Sequence, residues 1–271
     1  MKKWTLITEW FWPNNADRQY ELQQTLQDNL SCENIENIHL FVETEEGLPK
    51  IKSDKVTLVF RSERPTYNYL VQYAKVRAEN EHVVIANNDI SFAAFVNFVP
   101  QKNTIYACSR HEMINKELVW LDEFHKTPNR HESSQDAWFF IAGTKLRGGR
   151  FTMGVPGCDT LINWLFEQSG NRIINIGNKV RLMHRHKIQS RSYSQPMLPT
   201  PRLYVNVSGH NNIIFNWKVA FFNPEIPSHK RPLWDYEVFR SARASLPEFL
   251  MTSKFLLKRG AKKIRLKFTK S

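Results

Sequence analysis

The chain of 271 residues is poor in cysteine, in long apolar runs and in internal repetition. Cys32, Cys108 and Cys158 stand far apart, with no Cys-x-x-Cys pair. That excludes a disulfide framework and a cysteine metal site, and fits three reduced thiols. Apolar stretches such as Trp138–Ala142 and Val219–Phe222 fall far short of the roughly 20 residues a membrane-spanning helix requires. Met1-Lys2-Lys3 is followed by Glu9 before any long apolar stretch develops, and no small-residue cleavage pattern follows. The mature chain is therefore expected to begin at Met1, inside the cell. No repeat period is present.

Acidic residues are also missing from one end. Residues 254–271 hold eight Lys and Arg, interleaved with Phe255, Leu256, Leu257, Ile264, Leu266 and Phe268, so eight of the twelve net positive charges sit there. A nucleic-acid-binding domain spreads its charge over a structured face. A basic, apolar-dotted terminus suits an anionic membrane surface instead, although a solvated basic end without a partner has the same composition. The expected location is cytoplasmic and peripheral to a membrane, with no nucleic-acid partner.

The remainder has 41% hydrophobic residues over the whole chain, enough for one substantial core. Trp4–Thr8 is β-prone, Pro13-Asn14-Asn15 breaks it, and Leu22, Leu26 and Leu30 recur at helical spacing. Strands are expected at 38–42 and 55–60, and a helix over 66–79 whose face carries Tyr69, Leu70, Tyr73 and Ala74. His82–Ala86 is a near-continuous apolar run, as in a strand buried on both faces. Further strands are expected at 104–108, 134–141, 172–176 and 179–183, a helix at 159–168, and a long loop at 116–134. Alternation of strand and helix predicts an α/β fold with a mainly parallel sheet. Ligands of such sheets bind beyond the carboxyl ends of the strands, which is where Glu9, Glu43, Arg61 and Asp89 fall.

Several residue types in this pattern carry chemistry. Asp89 can hold a hard divalent cation that keeps waters and phosphate oxygens, or simply be a turn residue after Asn87-Asn88. His184 and His186 are two apart, so an extended segment points both imidazoles to one side; they can equally be surface residues in a basic stretch. Asp159 follows a Gly-rich loop at a helix start, either as a cap or as a general base. Asp136 can orient a sugar stacked on Trp138, or sit at a strand edge.

Arg64-Pro65-Thr66-Tyr67-Asn68, the run from Val84 to Phe92, Ser134 to Phe140, Gly154-Val155-Pro156-Gly157-Cys158-Asp159, and His184-Arg185-His186 with Arg191-Ser192-Tyr193 occur in an order that resembles a GT-A-type nucleotide-sugar glycosyltransferase of family 2 type. The resemblance covers about residues 1–193. It implies a Rossmann-like, mainly parallel sheet flanked by helices over residues 1–195, with 196–271 as an irregular basic C-terminal extension. It implies a nucleoside-diphosphate sugar donor, a glycan or lipid-linked acceptor, and a divalent cation, Mn or Mg. Asp89, His184 and His186 take the metal or diphosphate positions; Glu9, Glu43, Arg61, Arg64, Asn88 and Arg191 bind donor. Trp138 meets acceptor, and Asp159 with Asp136 forms the catalytic pair. The usual Asp-x-Asp is reduced here to one acid, Asp89, which leaves room for arginine to neutralise the diphosphate. A metal-dependent phosphoesterase or nuclease built on Asp89, Asp136, His184 and His186, and a non-enzymatic module binding RNA or anionic lipid, are the competing expectations.

Overall fold

The computed structural model describes residues 3–51, 53–78, 81–95, 98–114, 117–120, 135–185, 198, 202–205 and 212–214. Its centre is a seven-stranded sheet in the order β10-β6-β9-β4-β1-β2-β3. The strands are β1 (Trp4–Trp10), β2 (Ile35–Val42), β3 (Val56–Phe60), β4 (His82–Ala86), β6 (Thr104–Ser109), β9 (Gln135–Ile141) and β10 (Arg172–Asn175). Neighbours pair in parallel except around β9, which runs against both β4 and β6. A smaller sheet joins β5 (Ile90–Phe95), β11 (Val180–His184), β7 (His111–Ile114) and β8 (Glu117–Trp120), and β12 (Arg202–Tyr204) pairs with β13 (Asn212–Ile214). The mainly parallel α/β layout expected from the alternating pattern is present.

Every residue of β1 and of β4 is buried, so each needs apolar cover on both faces. One cover is α1 (Ala16–Ser31) with the smaller sheet; the other is α2 (Tyr67–Arg77) with α3 (Cys158–Gln168). α1 begins at Asn15, whose side chain accepts from the Arg18 amide. Its buried stripe holds Arg18, Glu21, Leu22, Thr25, Leu26 and Asn29. α2 is capped by Thr66 and buries Tyr67, Leu70, Val71 and Ala74. Tyr69 and Tyr73 are only partly covered, edge-on to Phe41. α3 starts at Gly157, which takes a left-handed φ of 83°. Nearby, Gly149 also has a positive φ, and an added Cβ would stand 3.0 Å from Leu146 Cδ2 and 3.3 Å from the Asn68 amide that donates to the Gly149 carbonyl.

Some expectations change. Residues 117–120, read as loop, form β8, which pairs with β7 in a hairpin-like antiparallel arrangement. Residues 90–95 form a strand of the second sheet instead of belonging only to the motif around Asp89. Leu198, Leu203 and Val205 are buried in the core beside α3, so the packed body continues past the expected boundary at residue 195. The basic terminus 254–271 lies outside the described residues. Among those described, no helix is long and apolar enough to cross a membrane, and the three cysteines are free thiols, two of them buried.

Asn29 shows how α1 is fixed. Its amide donates to the Ile90 carbonyl at 3.0 Å and accepts from the Phe92 amide at 3.0 Å, bracketing β5 as a neighbouring strand would. Asn29→Ala leaves both backbone groups buried and unpaired and is expected to lower unfolding free energy by about 2–4 kcal/mol. Urea denaturation checks this, and a loss below about 0.5 kcal/mol would show that the bracket contributes nothing net.

Candidate functional site

After β1 the chain crosses through α1 on one face of the sheet; after β3 it crosses through α2 on the other and returns to lie on the far side of β1 as β4. The winding reverses between β1 and β4. At such a reversal the connections leave in opposite directions and open a crevice at the carboxyl ends of the strands. Glu9 sits near the end of β1 and Asn87-Asn88-Asp89 directly after β4. Glu43 follows β2 and Arg61 follows β3, while Asp136 reaches the same edge because β9 is reversed.

A cavity of about 260 Å³ opens beside the crevice, lined by Glu9, Trp10, Phe41, Glu43, Arg61 and Arg64 among others. Arg64 donates to Glu9 through Nε (3.1 Å) and Nη2, and to the Met153 carbonyl at 3.0 Å, tying the Gly-rich segment to β1. Burial pushes the Glu9 carboxyl up to about 7, against the lowering by Arg64; Glu43 adds to the rise. The Arg61 guanidinium lies 3.8 Å over the Tyr69 ring and makes no carboxylate pair among the described residues. It is a held cation facing an open space. Two buried atoms at the crevice, Glu9 Oε1 and Asn87 Oδ1, have no hydrogen-bond partner among the described residues. Orphan acceptors of this kind call for a donor from water or ligand.

Asp136 is buried; it accepts from Asn87 Nδ2 at 2.9 Å and from Arg110 at 3.4 Å. Asp159 lies half-buried in the first turn of α3, where the helix dipole favours its charge, with Gly157 and not Asp159 as the cap. Burial pushes the adjacent Cys158 thiol up to about 12, and both Asp159 and Asp136 are close enough to raise it further. Asp136 belongs to the rim of the crevice through its bond to Asn87. Asn88 is half-buried at the turn's apex, with no hydrogen bond among the described residues.

Trp138 does not meet an acceptor. It is 1% exposed, edge-on to Tyr67, and its Nε1 donates to Asn163 at 2.8 Å, so no indole face is open for a sugar. Asp89 and His184 do come together, with Nε2 3.4 Å from Oδ2. The same Oδ2 carries the Arg18 guanidinium at 2.7 Å. Among the described residues a divalent cation at Asp89 does not fit this set, which offers one carboxylate and one imidazole with a permanent cation already on the shared oxygen. Among the described residues no group of three or more His, Cys, Asp or Glu is placed to hold a metal ion. His186 and Arg191 lie outside the described residues. Arg18, Arg110 and the pairing of Asn87 with Asp136 were not foreseen; a charged Arg18 on the same helical stripe as Leu22 and Leu26 was the one visible sign.

No family model and no curated protein sequence matches the chain. Several solved structures are similar to it. An inositol-1-phosphate CTP transferase from T. maritima is 10% identical at a TM-score of 0.41, over 68% of this chain and 89% of that one. GalNAc-T7 with UDP, GalNAc and Mn2+ is 11% identical at 0.45, over 72% of this chain and 45% of that one. A mannosyltransferase from Pyrobaculum calidifontis, in complex with GDP-Man and Mn2+, is 14% identical at 0.43, over 70% and 58%. The chain thus spans about half the length of those two glycosyltransferases. Likeness at this level assigns no residue a role.

Glu9 gives a pH signature. Its carboxyl binds a proton more tightly folded than unfolded, so its stabilising contribution is full below pH 4.5 and is lost as pH rises through about 7. Relative to Glu9→Gln, the wild type should lose about 2–3 kcal/mol of unfolding free energy between pH 5 and 8. Parallel profiles in urea titrations of the two proteins would show that Glu9 titrates normally.

Proposed function

We propose that the crevice between β1 and β4 binds a nucleoside-diphosphate sugar and transfers the sugar to a hydroxyl of a glycan or lipid-linked acceptor. One observation carries this reading: Glu9 Oε1 and Asn87 Oδ1, acceptors without a partner among the described residues, flank the point where the strand winding reverses, beside a cavity holding the Arg61 guanidinium. Trp10 and Phe41 give that cavity apolar walls for a base, and Glu43 gives it an acceptor for base or ribose. Arg61, stacked on Tyr69 and without a carboxylate partner among the described residues, meets the diphosphate where charge grows as it leaves.

In the reaction, the acceptor oxygen forms a bond to the anomeric carbon while the bond from that carbon to the diphosphate oxygen breaks. The hydroxyl proton passes to the Asp159 carboxylate, and the nucleoside diphosphate departs with the electron pair. Asp136, held by Asn87 and Arg110, positions the turn that presents Asn88. Two of the similar structures hold Mn2+; a cation serving this chain would take its protein ligands elsewhere than from Asp89 and His184. Residues 254–271 would keep the enzyme near a lipid-linked acceptor on an anionic surface. A two-metal nuclease has less support, because Glu9, Asp89 and Asp136 are each already matched by an arginine.

Nucleotide sugars screened by thermal shift should stabilise the wild type, and Arg61→Met should weaken the effective ligand at least tenfold. Asp159→Asn should keep that binding and lower transfer by about 10²–10⁴. Full transfer by folded Asp159→Asn would remove its assignment, and no stabilisation by any nucleotide sugar would remove the reading.

A further inference from the structure

Asp89 occupies the position where the resemblance places a metal ligand, yet its surroundings are built around a different cation. Arg18 reaches it from α1. Nη2 of Arg18 lies 2.7 Å from Asp89 Oδ2, and Nη1 donates to Glu21 Oε2 at 3.0 Å and to the Arg185 carbonyl at 3.1 Å. Both terminal nitrogens are engaged, and Arg18, Glu21 and Asp89 are all buried. Around them, the Arg185 amide donates to the Asp89 carbonyl at 2.9 Å, and Arg185 Nε to Asp28 at 2.7 Å. The guanidinium therefore joins three elements at one point: α1, the turn after β4, and the end of β11.

We infer that Arg18 is the permanent positive charge at Asp89, and that the Asp89–His184 pair anchors this guanidinium instead of ligating a divalent cation. A guanidinium does not give up its proton in a protein, so the charge is always present. An ion on Asp89 Oδ2, the oxygen that His184 also faces, would lie about 2.0–2.6 Å from it and so in contact with Arg18, with like charges opposed in a buried place. Moving Arg18 away would strip Glu21 and the Arg185 carbonyl of their donor. The same anchoring holds the turn rigidly from one side while Asp136 holds Asn87 from the other. The inference rests on the crevice of the proposed function, but not on which group is transferred there.

The test is Mn2+ binding to the full chain, read from the electron paramagnetic resonance of free Mn2+, with and without uridine diphosphate. Wild type and Asp89→Asn should bind Mn2+ within a factor of two of one another under both conditions; a tenfold or greater loss in Asp89→Asn overturns the inference. In case Asp89→Asn does not fold, the ring nitrogen resonances of His184 in the wild type give an independent reading. They should stay sharp at equimolar Mn2+, and selective broadening beyond detection would overturn the inference. Either result leaves nucleotide-sugar binding, measured separately, to decide the reaction.

Discussion

A carboxylate at the end of a strand buried on both faces cannot be left in a low-dielectric edge without a counter-charge, and this chain meets that constraint with arginine at each of three places. Glu9 has Arg64, Asp89 has Arg18, and Asp136 has Arg110. Each arginine comes from a different element, so each pair also fastens that element to the rim. Arg64 brings in the Gly-rich segment through Met153, Arg18 brings in α1, and Arg110 brings in the end of β6. The rim is consequently assembled by the same contacts that neutralise it. Removing one partner from such a pair costs more than the pair gains, because a buried charge remains.

The pairing also sorts the rim into groups that are committed and groups that are not. Asp136 is held by Asn87 and Arg110, whereas Asp159 is half-buried at a helix start. Arg61 rests on an aromatic ring and meets no carboxylate among the described residues, and the proposed function gives its charge to a ligand. Glu9 lies between these extremes: its burial outweighs Arg64, and one of its oxygens has no donor. A crevice with a cation that meets no carboxylate among the described residues, and with unfilled acceptors, is the ground on which an anionic leaving group is proposed there.

Much of the fold was legible because it follows from local pattern. The β-prone run of β1, the near-continuous apolar run of β4, the Leu22–Leu26 spacing of α1 and the Tyr69, Leu70, Tyr73 and Ala74 face of α2 each specify an element without reference to the rest. The strand-end positions of Glu9, Glu43, Arg61 and Asp89 then follow from the layout. The reversal of β9 was not legible, because an apolar strand reads the same in either direction. Trp138 was misassigned for a related reason: an indole beside a rim carboxylate looks exposed until α3 covers it and Asn163 takes its N–H. The Arg18–Asp89 contact joins residues 71 positions apart and leaves no local trace beyond a charge on a buried helical stripe.

Hydrogen exchange on the full chain, with and without a nucleoside diphosphate, tests the location of the crevice most directly. Protection should concentrate in the peptides that follow β1, β2, β3 and β4, around residues 9–12, 43–47, 61–65 and 87–90. Protection confined to the opposite edge of the sheet, or to none of these peptides at a saturating ligand concentration, would contradict the account.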